Sequence, residues 1–312
     1  MRAALIDRFG GPEELHIGEV PVPEPSAGEV LVRMLSAGTN PLDYKIRDGS
    51  SGMAKKLTAD DFPLILGREG CGVVEALGPG VSGLEVGQTV FGMPALTHRA
   101  GCYAEYAALP VNCLAPVPVD ADPIVFGGTA LVLSTALTAA IDQGRVSEGE
   151  NVLIHGGTGG VGQLAVQLCR RAGAQVWATA STRNQDRLVD LGANPIDYST
   201  QDFTQASPKM DLIIDGAYFD TFLPSLDHLV EGGRIVVLPS LADLTPAKER
   251  GIEAHIPVFG PMPDRLAELA PDVASGALSI EVAEVLPLDR VADAHRQLET
   301  GHSRGKIILD LR

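Results

Sequence analysis

Residues 152–162 read VLIHGGTGGVG, an apolar run that gives way to five glycines in the seven positions 156–162. Gly157, Gly159 and Gly162 have the spacing G-x-G-x-x-G, between an expected strand and the helix-like VGQLAVQLCRRAG. In that setting the first glycine permits a tight turn. The second lets a pyrophosphate approach the backbone without meeting a Cβ, and the third lets the helix pack close to the strand. Amides at the helix start then face the phosphates. Gly157, Thr158, Gly159, Gly160, Val161 and Gly162 are therefore expected to hold a dinucleotide. The competing reading, turn glycines that only allow tight packing, is weakened because strand, turn, helix and second strand all fall at the required spacing.

The second strand, in AQVWATAST, decides which dinucleotide is expected. A site for NAD carries Asp or Glu about 20 residues after the glycines, where it binds the ribose hydroxyls and repels a 2′-phosphate. Here the strand end reads Thr179, Ala180, Ser181, Thr182, Arg183, Asn184, with a hydroxyl and a guanidinium but no acid. The expectation is NADPH, with Ser181 and Arg183 on the 2′-phosphate. The alternative for Arg183 is an exposed arginine at a helix start.

These residues need elements to position them. The first hundred or so residues are short β-branched runs broken by Gly and Pro, such as EVLVRMLSAG and CGVVEALG, and read as an irregular β domain. From about Asp122 apolar strands alternate with amphipathic helices, which implies a parallel sheet covered on both faces. The tail ends in the strand KIILDL and is expected to rejoin the first domain. The net charge of −16 argues against nucleic acid and anionic lipid as partners, leaving a small molecule. No apolar run reaches membrane length and no signal peptide is evident, so a cytoplasmic protein is expected. Cys71, Cys102, Cys113 and Cys169 lie far apart without a CxxC pair, which disfavours a disulfide framework or a four-cysteine zinc lobe.

With AGTNPLDYKIRDG, PLILGREGCGVVEALGPGVSGLEVGQTVFG, the glycine segment and GHSRGKIIL on the page, the whole chain resembles the zinc-independent, zeta-crystallin-like quinone oxidoreductases of the medium-chain dehydrogenase/reductase superfamily. The resemblance implies an α/β protein with a GroES-like, β-rich catalytic domain (residues 1–118 and 263–312) and a Rossmann doubly wound parallel-sheet domain (119–262). It further implies a cofactor cleft between them, a homodimer, and reduction of a quinone or of the activated double bond of an enone by NADPH. By resemblance, Asn40 and Asp43 of N-P-x-D lie near the nicotinamide, as does Thr135. Tyr198 joins Ser181 and Arg183 on the 2′-phosphate, and Arg304 and Lys306 belong to a C-terminal loop that reaches the cofactor. Tyr44 comes one residue earlier than the tyrosine of many quinone reductases, and Lys45 takes its place. NPLDYKIR thus looks closer to members acting on enones or plant-type quinone-like substrates.

Where zinc-dependent relatives carry ligands, this chain has Thr39 and Arg68, which cannot replace a thiolate and an imidazole, so no metal is expected. His98, His155, His255, His295 and His302 show no ligand spacing. Arg68 is open to two readings, polarisation of a substrate carbonyl or a salt bridge to the adjacent acids or to another domain segment. In a metal-free reduction, hydride addition puts negative charge on the acceptor's carbonyl oxygen. Asn40, Tyr44 and Lys45 are candidate donors to it, Tyr44 also a proton source, the alternatives being packing for Tyr44 and surface charge for Lys45. The apolar FGPMP, from Phe259 to Pro263, walls a substrate pocket or covers a subunit interface. The competing function is a non-catalytic or regulatory NADPH-binding protein of the same fold.

Overall fold

The computed structural model describes residues 1–95, 98–258, 260–301 and 303–312; Phe259 and His302, singled out above, lie outside the described residues. The chain forms two compact units, Met1–Leu131 with Gly260–Arg312, and Val132–Phe259.

The first unit opens with β1 (Arg2–Ile6), β2 (His16–Glu19), β3 (Glu29–Gly38), α1 (Pro41–Arg47), β4 (Leu64–Ile65), β5 (Gly70–Leu77), β6 (Thr89–Gly92), β7 (Tyr106–Pro110), β8 (Leu114–Pro116) and α2 (Pro123–Gly127). After α3 (Ala130–Leu137), the second unit runs through β9 (Asn151–His155), α4 (Gly160–Arg171), β10 (Gln175–Ala180), α5 (Gln185–Asp190), β11 (Asn194–Asp197) and α6 (Phe203–Ala206). It continues with β12 (Met210–Asp215), α7 (Phe222–Asp227), β13 (Leu229–Val237), α8 (Thr245–Glu249) and β14 (Glu253–His255). The chain then returns to the first unit as α9 (Pro263–Ala274), β15 (Val282–Pro287), α10 (Val291–Glu299) and β16 (Lys306–Asp310).

β3 organises the first unit. Val30, Val32 and Met34 alternate into the core with Leu109 and Ile307, the period-two burial of a sheet with one packed face. The sheet has the order β15-β16-β3-β5-β6-β8 with β7 also on β3, and a separate three-stranded sheet runs β2-β1-β4. β16 lies antiparallel to β3 with Ile308 opposite Gly38. That register carries Lys306 to the chain following β3, where Thr39 N donates to Ile307 O at 3.0 Å. The tail does rejoin the first unit, and for a site-bearing reason.

In the second unit the order is β11-β10-β9-β12-β13-β14, and each described pairing is parallel. This is the doubly wound Rossmann order, which reverses at β9 and β12 and opens a crevice at their carboxyl ends. Val152, Leu153 and Ile154 are all buried, the continuous apolar run expected of a strand covered on both faces. The four cysteines are free and buried. Among the described residues, no helix is long and apolar enough to cross a membrane.

Candidate cofactor and active site

β9 ends at the reversal of strand order, and the chain turns there at Gly156, whose φ of +77° is left-handed. The motif assigned the tight turn to Gly157; the structure places it one residue earlier. Gly157 is a close-approach position, where a Cβ would stand 2.6 Å from Ala178 Cβ and 2.8 Å from Leu188 Cδ2. At Gly162 a Cβ would collide with Gly156 O and stand 2.9 Å from Gly157 Cα, so this glycine seats α4 against the loop that follows β9, where the motif placed the close approach at the strand itself. Gly159 differs, since a Cβ there would meet only Gly156 O, at 3.3 Å. It is the N-cap of α4 and offers no side-chain cap, so the amides of the first turn face outward for an anion. Outward-facing backbone donors of this kind fit a pyrophosphate. Arg170 and Arg171 occupy the other end of α4, complementing its dipole.

The loop is tied to β10. Gly157 N donates to Thr179 O at 3.0 Å, and Gly156 N to Thr179 Oγ1 at 3.2 Å. That hydroxyl also meets His155 Nδ1 at 3.2 Å, while His155 Nε2 meets Ser225 Oγ at 3.1 Å. Thr179 and Ser225 were not anticipated; their signal is only their burial beside a buried histidine. At the end of β10, Ser181 is half-buried and Arg183 exposed, and across on the chain after β11 Tyr198 is 53% exposed. The structure thus gathers the three expected 2′-phosphate residues at one corner of the sheet. Thr135 lies in α3, half-buried.

In the first unit, Asn40, Asp43 and Lys306 belong to one buried cluster. Lys306 Nζ donates to Thr39 O at 2.9 Å, Asn40 Oδ1 at 2.6 Å and Glu69 Oε1 at 2.8 Å, which occupies all three ammonium protons. Glu69 Oε1 also accepts from Asn40 Nδ2 at 2.8 Å, and Oε2 from Leu131 N at 2.8 Å. Lys306 is 3% exposed and Glu69 fully buried. Gly38 and Gly128 make room for the pair, since a Cβ on Gly38 would collide with Glu69 Oε1 and one on Gly128 would stand 3.0 Å from Lys306 Cε. Asp43 reaches back from the first turn of α1, its Oδ2 accepting from Asn40 N at 2.9 Å and from Tyr103 Oη at 3.0 Å. Burial pushes the Asp43 carboxyl up to about 6, against the Tyr103 hydrogen bond and the charge of Lys306. The amide of Asn40 is thereby locked in one orientation. Sequence reasoning missed Glu69 and Tyr103, although an acid inside LILGREGCGVV is a signal.

Tyr44 and Lys45, on α1, are half-buried. Burial, with Glu299 and Asp48 nearby, raises the Tyr44 phenol, so it keeps its proton. Arg304 pairs with Glu281 at 2.6 Å. Arg68 fits neither reading offered above. It is 3% exposed, and its guanidinium donates to the backbone carbonyls of Pro94, Ala95, His98 and Ala100, which makes it a staple for the loop after β6. Thr39 Oγ1 donates to Ile307 O at 2.9 Å. Among the described residues, no group of three or more His, Cys, Asp or Glu could hold a metal ion.

The buried histidines give the fold an acid limit. Burial lowers His155 to about 4 and His295 to about 3. A base depressed on folding contributes stability that is present above its unfolded value near 6.5 and lost as pH falls through the folded value. Asp43, raised to about 6, works in the opposite sense between its unfolded value and 6, and the two histidines outweigh it. Unfolding free energy should fall as pH drops from 6.5 toward 4, with roughly 3 kcal/mol of the loss due to His155. Chemical denaturation at stepped pH should show a shallower acid limb in His155→Gln.

The chain matches the alcohol dehydrogenase GroES-like domain family over residues 26–119 and the zinc-binding dehydrogenase family over residues 191–309. The quinone oxidoreductase of Rattus norvegicus is 30% identical over 326 residues, covering 98% of this chain and 96% of its own. The chain belongs to the medium-chain dehydrogenase/reductase superfamily, in its quinone oxidoreductase family. An Arabidopsis thaliana protein named NADPH-dependent alkenal/one oxidoreductase, chloroplastic, is 30% identical, covering 99% of this chain and 79% of its own. The solved quinone oxidoreductase of Coxiella burnetii superposes with a TM-score of 0.95 at 35% identity, covering 100% of this chain and 99% of its own. This member of the superfamily is an oxidoreductase. The Thr39 hydroxyl donates to a backbone carbonyl and the Arg68 guanidinium is a cation that only donates, a pair of groups that does not fit a metal.

Proposed function

We propose that this oxidoreductase uses NADPH to reduce a quinone or the activated double bond of an α,β-unsaturated carbonyl, without a metal, and acts as a homodimer. The observation that carries the reading is the uncapped start of α4 at Gly159, where a Cβ would meet only Gly156 O, at the reversal of strand order, with Ser181, Arg183 and Tyr198 at the adjoining corner. Bound NADPH supplies a hydride to an electrophilic carbon. The backbone of residues 157–162 holds the pyrophosphate, and Ser181, Arg183 and Tyr198 hold the 2′-phosphate. Thr135 serves the nicotinamide side. In the first unit, Asp43, Glu69 and Lys306 fix Asn40, and the Tyr44 hydroxyl and the Lys45 ammonium donate to the acceptor's carbonyl oxygen as charge develops there. Arg304 is a further cofactor candidate. A relative named for quinones and one named for alkenals and alkenones support both acceptor classes.

The test is NADPH absorbance followed with a panel of quinones, enones and aldehydes, with and without chelator. Oxidation by quinones or enones that ignores chelator is the expected result. No oxidation with any acceptor would leave a binding role only, and loss of turnover on chelation would overturn the metal-free reading.

A further inference from the structure

The strand end after the glycine loop has no acid in sequence, yet the fold supplies one from the next strand. Asp197 ends β11, and its Cα is paired with that of Ala180 at the end of β10. Adjacent strands lie about 4.8 Å apart. The acid therefore stands one strand from the place where a ribose-binding carboxylate sits in an NAD site. It is only 8% exposed. Its Oδ2 accepts from Thr182 Oγ1 at 2.6 Å, and its Oδ1 from Ser199 N at 2.9 Å. Its own N–H donates to Gln201 Oε1 at 2.9 Å. Gln185 Nε2 spans the two strand ends, donating to Ala180 O at 2.9 Å and Ile196 O at 3.4 Å. Both carboxylate oxygens are thus engaged by the chain's own turns.

We propose that Thr182 cages Asp197, and that this hydrogen bond sets the nucleotide preference by withholding from the ribose a carboxylate that would favour NADH. The proposal rests on the dinucleotide reading above. A free carboxylate at this corner accepts from a 2′-hydroxyl and repels a 2′-phosphate. The Thr182 hydroxyl holds Oδ2 of the acid in the turn that presents Ser181 and Arg183, so one contact both orients the carboxylate away from the ribose and shapes the phosphate side of the corner. Thr182 itself is exposed, and its replacement leaves the core intact.

Dissociation constants for NADPH and NADH, read by nucleotide fluorescence with no acceptor present, test this. In Thr182→Val the NADH-to-NADPH ratio of dissociation constants should fall by about tenfold, the scale of one charge-assisted hydrogen bond. Thr182→Ser, which keeps the hydroxyl, should hold the wild-type ratio. Adding Asp197→Asn to Thr182→Val should restore it, because the released carboxylate is then gone. An unchanged ratio in Thr182→Val, or the same shift in the double variant, overturns the cage. Wild-type protein that binds neither nucleotide refutes the dinucleotide reading and the cage with it. Wild-type protein that binds NADPH while Thr182→Val keeps its ratio refutes the cage alone.

Discussion

Lys306→Met is expected to destabilise the protein by about 3–5 kcal/mol, the cost of removing one member of a buried ion pair. Glu69 is fully buried, and its Oε1 is 2.8 Å from Lys306 Nζ. Removing the ammonium strands a carboxylate that water does not reach, with only the Asn40 amide and the Leu131 N–H left to satisfy it. The Asn40 Oδ1 and Thr39 O acceptors are orphaned as well. In the pair Lys306→Met with Glu69→Gln no net charge is buried, so the double variant should recover part of the loss. Urea denaturation of the two single variants and the double variant measures the coupling. Single-variant losses below about 1 kcal/mol, or strictly additive ones, contradict the cluster described here.

The second large effect separates two glycines of one motif. Gly162→Ala drives a Cβ into Gly156 O and to 2.9 Å from Gly157 Cα, backbone that cannot yield as a side chain does. The loop must shift, so stability should fall by roughly 1–3 kcal/mol and nucleotide affinity with it. At Gly159 the added methyl meets only Gly156 O, at 3.3 Å, and replaces a favoured N-cap residue, so stability should fall by about 1 kcal/mol or less, below the loss at Gly162. That methyl nevertheless occupies the side from which a pyrophosphate approaches, and NADPH affinity should drop by about tenfold or more. Thermal denaturation and nucleotide titration of both variants read this split. A folded Gly159→Ala protein that binds NADPH as well as wild type would place the phosphates elsewhere.

The contrast between those glycines also measures what the sequence revealed. G-x-G-x-x-G after an apolar strand, with alternating helices and strands downstream, was enough for a Rossmann sheet, because periodicity and turn chemistry are local. It misassigned the tight turn, since whether Gly156 or Gly157 takes positive φ depends on the packing of Ala178 and Leu188 against the loop. N-P-x-D pointed to Asn40 and Asp43 but was silent about what fixes them. Glu69 and Lys306 are 237 residues apart, and only the antiparallel register of β16 on β3 joins them. Arg68 drew attention through its place in GREG, whereas its neighbour Glu69 holds the cluster. Asp197 is not legible in the segment after the glycines, because it arrives from the next strand, paired with Ala180.

Hydride delivery from NADPH to an acceptor carbon, proposed above, is tested most directly by isotope transfer. Protein incubated with an enone and NADPH deuterated at the transferring C4 position should give a saturated ketone carrying deuterium at the former β-carbon of the double bond. Product without the label, or no product with any enone or quinone despite tight NADPH binding, would contradict it.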